Sequence, residues 1–184
     1  MLGESMVRSI LFRERGMTPE DYSIVLGEHG KPYVVGMPEP FYFNISHSGD
    51  YVVCAVSDRE IGIDIERIGK VRMEVARRFF HPEEIKVLEA LPESRQTDAF
   101  FSYWSVKEAF LKYTGAGLSA SLSVFEVLFE GNRVRVQCPG GAGEVWIRAC
   151  PVDEEYKCYV CSAMDELPEI YCWRGTDYTF PQTS

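Results

Sequence analysis

The stretch Ile61-Gly62-Ile63-Asp64-Ile65-Glu66 decides how the rest of this chain is interpreted. Its isoleucines alternate strictly with Gly62, Asp64 and Glu66, which is typical of a β-strand with one apolar face. Because a strand rises about 3.3 Å per residue, the Cα atoms of Asp64 and Glu66 should lie roughly 6.6 Å apart on the same face. Neighbouring carboxylates repel each other unless a cation or a proton lies between them. The pair is therefore either a solvated sheet edge or half of a metal site with oxygen ligands.

The composition limits the possible partners. The chain has 184 residues and a net charge of −9, a length that fits one domain or two small packed halves. An acidic protein has no overall positive field for nucleic acid or an anionic membrane, so we expect neither as a partner. No apolar run approaches the length of a membrane span, and the first residues do not form a signal peptide. We therefore expect a cytoplasmic protein.

The six cysteines are expected to be reduced thiols, since no export signal is present. Several lie in strand-like runs, where cysteine acts as a small apolar residue. The spacing of Cys158 and Cys161 is that of zinc or redox pairs, but no second pair and no histidine follows, so a core strand is favoured.

Apolar periodicity and turn residues predict an order of strands, then helices, then strands. Helices are predicted at 2–14, 73–80, 82–91 and 97–114. Strands are predicted at 22–26, 33–35, 41–45, 51–57, 61–67, 123–129, 133–138, 145–152 and 156–164. Residues 46–50 are expected to form a polar turn, residues 139–143 a hairpin turn, and strands 51–57 and 61–67 a hairpin. This layout indicates an α+β fold with helices on one face of a mainly antiparallel sheet.

The longest predicted helix carries Glu108 and Lys112 one turn apart, on the flank of a wide apolar arc. They form either an ordinary surface pair or, if Glu108 joins Asp64 and Glu66, part of a three-carboxylate site. Sites of that kind suit Mg²⁺ or Mn²⁺. Lys107 falls within the apolar arc, where its ammonium would have to extend to solvent.

An acidic protein that binds a phosphorylated ligand needs local cations. The candidates are Lys31, His47, Lys107 and Lys112. Taken singly, Lys31 is interpreted as a solvated turn lysine, and His47 as a residue that caps a turn or has no role.

Four motifs occur in a characteristic order: Gly30-Lys31-Pro32, Phe43 to Ser48, Ile61 to Glu66, and Trp104-Ser105-Val106-Lys107-Glu108-Ala109-Phe110-Leu111-Lys112. Together they closely resemble the 4′-phosphopantetheinyl transferases of the Sfp type, from about Leu2 to Met164. Arg78-Phe79-Phe80 and the glycines after residue 114 are also similar to that family.

The resemblance implies two similar α+β halves related by a pseudo-twofold axis, with coenzyme A and Mg²⁺ between them. The expected division is 1–67, 68–173 and a polar tail at 174–184. Family members usually carry a further strand and helix ahead of the first helix, so the first half is expected to be truncated at its N-terminus. A doubled fold favours a monomer, while an exposed sheet edge would favour a dimer.

The resemblance also implies the roles of individual residues. The metal ligands would be Asp64, Glu66 and Glu108, and coenzyme A would be bound by Lys31, Ser46, His47, Lys112 and, for phosphate or for orienting Glu108, Lys107. The implied catalytic residues are Glu108, Lys112 and His47.

The implied reaction transfers the phosphopantetheine arm of coenzyme A to a serine of an apo acyl or peptidyl carrier protein and releases 3′,5′-ADP. Two alternatives stay open. One is a catalytically weak homologue that binds coenzyme A or a carrier protein without turnover. The other is a Mg²⁺-dependent phosphohydrolase on another fold.

Overall fold

A computed structural model describes residues 2–27, 29–71, 73–117, 121–141, 145–166 and 168–175. The helices are α1 (Leu2–Arg15), α2 (Met73–Phe79), α3 (Pro82–Ala90) and α4 (Glu93–Thr114). The strands before α2 are β1 (Ser23–Leu26), β2 (Pro32–Val35), β3 (Tyr42–Ser48), β4 (Tyr51–Ser57) and β5 (Ile61–Arg67). Those after α4 are β6 (Glu126–Glu130), β7 (Arg133–Gln137), β8 (Trp146–Ala149), β9 (Tyr156–Ser162) and β10 (Glu169–Arg174).

The predicted α+β architecture is confirmed, and every pairing among the described strands is antiparallel. Strands β1 and β2 form a two-stranded sheet, β10-β4-β3 form a second, and β5-β9-β8-β7-β6 form a third. No helix in the described ranges is long and apolar enough to cross a membrane.

The limits of the helices agree with the prediction, except that α4 begins at Glu93 rather than at Thr97. It ends as predicted, because Gly115 adopts a left-handed conformation with φ of 68°. Part of the predicted glycine-rich turn (142–143) and most of the predicted tail (176–184) lie outside the described residues. Cys158 and Cys161 are buried in β9, which confirms the core-strand interpretation.

The predicted hairpin between strands 51–57 and 61–67 is wrong. The backbone of β4 pairs with β3 on one side and with β10 on the other, so both of its edges are occupied. Strand β5 pairs instead with β9, and the turn between β4 and β5 takes the chain from one sheet to another. Strand β10 was not predicted, although it brings the end of the described chain back to the sheet of β3 and β4.

The predicted turn at residues 46–50 is also wrong, because β3 continues through Ser48, which pairs with Tyr51. Only Gly49 and Asp50 form the turn. Asn44, Ser46 and Ser48 are polar residues of this strand that face β5 and have partners there.

A row of side-chain hydrogen bonds joins β3 to β5. The backbone N–H groups of Ile63, Ile65 and Arg67 donate to side-chain oxygens of Asn44, Ser46 and Ser48, at 2.9, 3.3 and 2.9 Å respectively. These side chains satisfy β5 amides that a neighbouring strand would otherwise have to satisfy. We call this row the β3–β5 seam.

Both faces of β5 are covered, as its alternation requires. Ile61, Ile63 and Ile65 pack against Val53 and other residues of the β4 sheet. On the opposite face, α4 lies directly over Gly62, where an added Cβ would meet the helix backbone. The fold therefore brings the acids of β5 under the polar flank of α4.

Candidate active site

Helix α4 is held over β5 by contacts at Gly62 and at Asp64. Gly62 allows the close approach of the two backbones, and the Ser105 hydroxyl donates to the main-chain oxygen of Asp64 at 3.0 Å. This places the side chains of Glu108 and Lys112 beside the strand carboxylates.

Asp64 is the most buried acid of this group, with 3% of its surface exposed, so it does not lie on a solvated edge. Its Oδ1 accepts hydrogen bonds from Nζ of Lys112 at 2.7 Å and from Oγ of Ser46 at 3.0 Å. Its Oδ2 is buried and accepts no hydrogen bond from the described residues. Burial raises the pKa of Asp64, although Lys112 and Ser46 act in the opposite direction.

Glu66 lies on the same face of β5 and is half-buried. The indole N–H of Trp104 donates to its Oε1 at 3.1 Å. Burial, followed by the charge of Asp64, raises the pKa of Glu66 to about 7.

Glu108 is the third acid of this group and lies on α4. Burial and the charge of Asp64 raise its pKa, while Lys112 lowers it. No ion pair joins Glu108 to Lys112, both of which the structure describes, because the Lys112 ammonium pairs with Asp64 instead. The interpretation of Glu108 and Lys112 as an ordinary surface pair is therefore wrong.

A cavity of about 240 Å³ adjoins these groups, and Lys31, Asn44, Glu108, Lys112 and Gly115 are among its lining residues. The Lys31 ammonium donates to Glu60 at 2.6 Å and to the main-chain oxygens of Ile61 and Tyr113. A larger cavity of about 650 Å³ lies between β7 and β8, but it shares no lining residue with this one.

Lys107 does not lie at this site, which corrects the sequence-based expectation. Its ammonium is fully buried, 2.9 Å from the Glu84 carboxylate, and donates to the main-chain oxygens of Leu122 and Phe125 at 2.8 Å each. With these three partners, the ammonium has no donor left for a phosphate and does not reach solvent.

His47 is exposed near the end of β3. Because side chains alternate along a strand, it projects to the face opposite Ser46 and Asn44. Ser46 reaches Asp64 and Lys112, and His47 does not accompany it there.

The amino-acid sequence around this site also matches a known protein family. Residues 60–161, more than half of the chain, match the family model of the 4′-phosphopantetheinyl transferase superfamily. The chain belongs to this superfamily. The matched segment runs from β5 to β9 and contains Asp64, Glu66 and Glu108.

Relatives of this transferase chain are similar over most of its length. A 4′-phosphopantetheinyl transferase of Bacillus subtilis is 41% identical over 164 residues, which are 89% of this chain and 73% of the relative. The transferase Sfp of Bacillus subtilis strain 168 is 39% identical over 92% of this chain and 75% of its own length. The transferase psf-1 of Bacillus pumilus is 38% identical over 88% and 70%. The resemblance to the Sfp type is confirmed.

The fit of a metal to this transferase rests on its donor atoms. Among the described residues, no three His, Cys, Asp or Glu side chains are gathered closely enough to form a ready metal-binding group. However, Asp64 has a buried oxygen without a donor, and its charge raises the pKa of both Glu66 and Glu108. Buried carboxylates that destabilise one another in this way fit a hard divalent cation with oxygen ligands.

Sequence reasoning missed two residues that organise the site, and a third that pairs with Lys107 away from it. Asn44 supports the backbone of β5, Trp104 holds Glu66, and Glu84 neutralises Lys107. A lysine in an apolar arc signals that a buried acid exists, but the sequence pattern gives no indication that Glu84 is that acid.

Proposed function

We propose that this protein transfers the 4′-phosphopantetheine group of coenzyme A to a serine of an apo acyl or peptidyl carrier protein and releases 3′,5′-ADP. The observation that supports this most is that Asp64 lies close enough to Glu66 on β5 and to Glu108 on α4 for its charge to raise the pKa of both. Residues 1–67 and 68–173 would form its two similar halves, with β10 returning to the first. We further propose that the protein is cytoplasmic.

Asp64, Glu66 and Glu108 would hold the divalent cation, Mg²⁺ or Mn²⁺. When bound, such a cation supplies charge neutralisation at the pyrophosphate and at the phosphate that leaves. Burial and the charge of Asp64 raise the pKa of Glu66 and of Glu108, and a bound cation would stabilise their charged forms.

Lys112 and Ser46 would bind phosphate oxygens of coenzyme A. The Lys112 ammonium donates to both Asp64 and Ser46 at the edge of the 240 Å³ cavity, so it can exchange one of these acceptors for phosphate. Lys31 lines the same cavity and would have to exchange one of its three acceptors, the Glu60 carboxylate or a main-chain oxygen, for phosphate. His47, which lies at the exposed end of β3, would contact the part of the nucleotide nearest solvent.

Glu108 would accept the proton of the carrier serine as its hydroxyl oxygen attacks phosphorus. The new serine oxygen–phosphorus bond forms as the bond from phosphorus to the 3′,5′-ADP oxygen breaks, and the nucleotide leaves with that oxygen. Glu108 lines the 240 Å³ cavity, so its carboxylate adjoins the space that the carrier serine would enter.

The test is to incubate the protein with coenzyme A, Mg²⁺ and an apo carrier protein, and to measure the mass of the carrier. Gain of one phosphopantetheine is expected. The Glu108→Gln variant should lose at least about 100-fold in rate, the range typical of a lost general base. The Glu93→Gln variant changes an exposed acid in the first turn of the same helix and serves as the matched control. Coenzyme A binding without any gain in carrier mass would refute the proposal, and so would an unchanged rate in Glu108→Gln.

A further inference from the structure

Trp104 donates a hydrogen bond to Glu66, although no step of the proposed transfer reaction uses Trp104. The indole N–H of Trp104 is a donor only and is 3.1 Å from Oε1 of Glu66. The pair borders a cavity of about 280 Å³ that Lys70 also lines, so it is not sealed from solvent. Trp104 of α4 thus fixes one oxygen of the Glu66 carboxylate.

The indole ring is itself held by three phenylalanines. Phe100 stacks on it with ring centroids 6.1 Å apart and planes at 17°, and Phe79 meets it edge-on at 6.0 Å and 89°. Phe80 lies 6.2 Å away and also stacks on Phe100. Phe79 and Phe80 belong to the Arg78-Phe79-Phe80 motif, which no step of the transfer reaction uses.

We propose that Trp104 is a positioning residue, which orients the Glu66 carboxylate toward the divalent cation while Phe79 and Phe80 hold the indole in place. This inference rests on the proposed function, because it concerns the cation of that same site. Hydrogen bonds from neighbouring groups to metal ligands fix the ligand orientation, and their loss usually weakens metal binding. Phe79 and Phe80 would then support metal binding indirectly, because they hold the indole that orients Glu66.

The competing explanation is that Trp104 is a core aromatic whose N–H takes the nearest acceptor. In that case removal of the N–H would change stability and leave metal affinity alone. A direct measurement of metal binding separates the two explanations without reference to turnover.

The experiment measures Mn²⁺ binding to the full chain by electron paramagnetic resonance of the free ion. The Trp104→Phe variant keeps an aromatic ring and removes the N–H. We expect its dissociation constant for Mn²⁺ to rise at least about 10-fold, the usual result of losing a ligand-orienting hydrogen bond. The Mg²⁺ concentration for half-maximal transfer should rise by a similar factor, with an unchanged KM for the carrier protein.

Trp146→Phe is the matched control, since Trp146 lies on β8 with 38% of its surface exposed and does not contact the site. It should bind Mn²⁺ like the wild-type protein. A folded Trp104→Phe variant with wild-type Mn²⁺ affinity would overturn the inference, and so would a wild-type protein that binds no Mn²⁺.

If Trp104→Phe does not fold, as judged by loss of its thermal transition, Phe79→Leu provides the decisive measurement. It leaves the indole N–H in place and removes one ring that restrains it, so Mn²⁺ binding should again weaken. Wild-type affinity in this variant would overturn the inference. Failure of the proposed function gives a different result, in which the wild-type protein binds Mn²⁺ but the carrier gains no mass.

Discussion

Gly62 lies so close to Ala109 of α4 that a Cβ atom on residue 62 would collide with the main-chain oxygen of Ala109. Glu108 directly precedes this contact point, and Lys112 lies one turn beyond it. The missing side chain of Gly62 therefore sets the distance between the acids of β5 and the charged groups of α4.

Gly62→Ala should push α4 away from β5. The obstructing atoms belong to the helix backbone and cannot rotate away, so we expect a loss of about 1–3 kcal/mol or more in unfolding free energy and a marked loss of transfer activity. The measurements are denaturant unfolding and carrier mass. Gly69→Ala is the control, because its Cβ would meet only an atom of Phe101 at 3.9 Å. Equal effects of the two substitutions would contradict the close-approach argument.

The β3–β5 seam predicts unequal costs for two similar substitutions. Asn44→Ala leaves the buried N–H of Ile63 without its acceptor, which should cost about 1–3 kcal/mol. Ser48→Ala removes the acceptor of the Arg67 N–H, but that bond is exposed and water can replace it. Denaturant unfolding of both variants tests the difference. A smaller cost for Asn44→Ala than for Ser48→Ala would be inconsistent with a seam that stabilises the buried part of β5.

The Lys107–Glu84 pair predicts a large loss of stability when one partner is removed. Glu84 also accepts hydrogen bonds from the main-chain N–H groups of His81 and Val127, at 2.9 and 2.6 Å. Glu84→Ala leaves the Lys107 ammonium buried without a counter-charge, so we expect a loss of about 3–5 kcal/mol in unfolding free energy.

Glu83→Ala is the neighbouring control for that experiment. Glu83 makes an exposed ion pair with Lys86, so its loss should have little effect on the unfolding free energy. If Glu84→Ala proved no more costly than Glu83→Ala, the buried pair would not be the stabilising contact that its geometry indicates.

The pKa of Glu66, raised to about 7 from its usual 4.5, predicts how stability depends on pH in metal-free protein. Since the folded state binds this proton more tightly than the unfolded state, the contribution is complete below pH 4.5 and is lost as the pH rises toward 7. Glu66→Gln removes this dependence. Relative to wild type, the variant should therefore gain on the order of 1 kcal/mol between about pH 5 and pH 8, once solvent screening of this half-buried group is allowed for. Denaturant unfolding of both proteins at the two pH values, with a chelator present, measures this gain. A difference in unfolding free energy between variant and wild type that is the same at both pH values would contradict the raised pKa.

The local sequence was sufficient to predict the features that repeat along the chain. The alternation in β5 predicted that its isoleucines and its acids lie on opposite faces, and they do. Gly115 predicted the end of α4, because a left-handed conformation suits glycine. The ordered motifs predicted the family.

Only the tertiary structure decided which groups meet. It paired Lys112 with Asp64 rather than with Glu108, and Lys107 with Glu84 rather than with phosphate. It also paired β4 with β10, a strand more than a hundred residues away along the chain. The physical reason is that periodicity fixes the face on which a side chain lies, whereas its partner depends on which chain segments the packing of the sheets and α4 brings together in space.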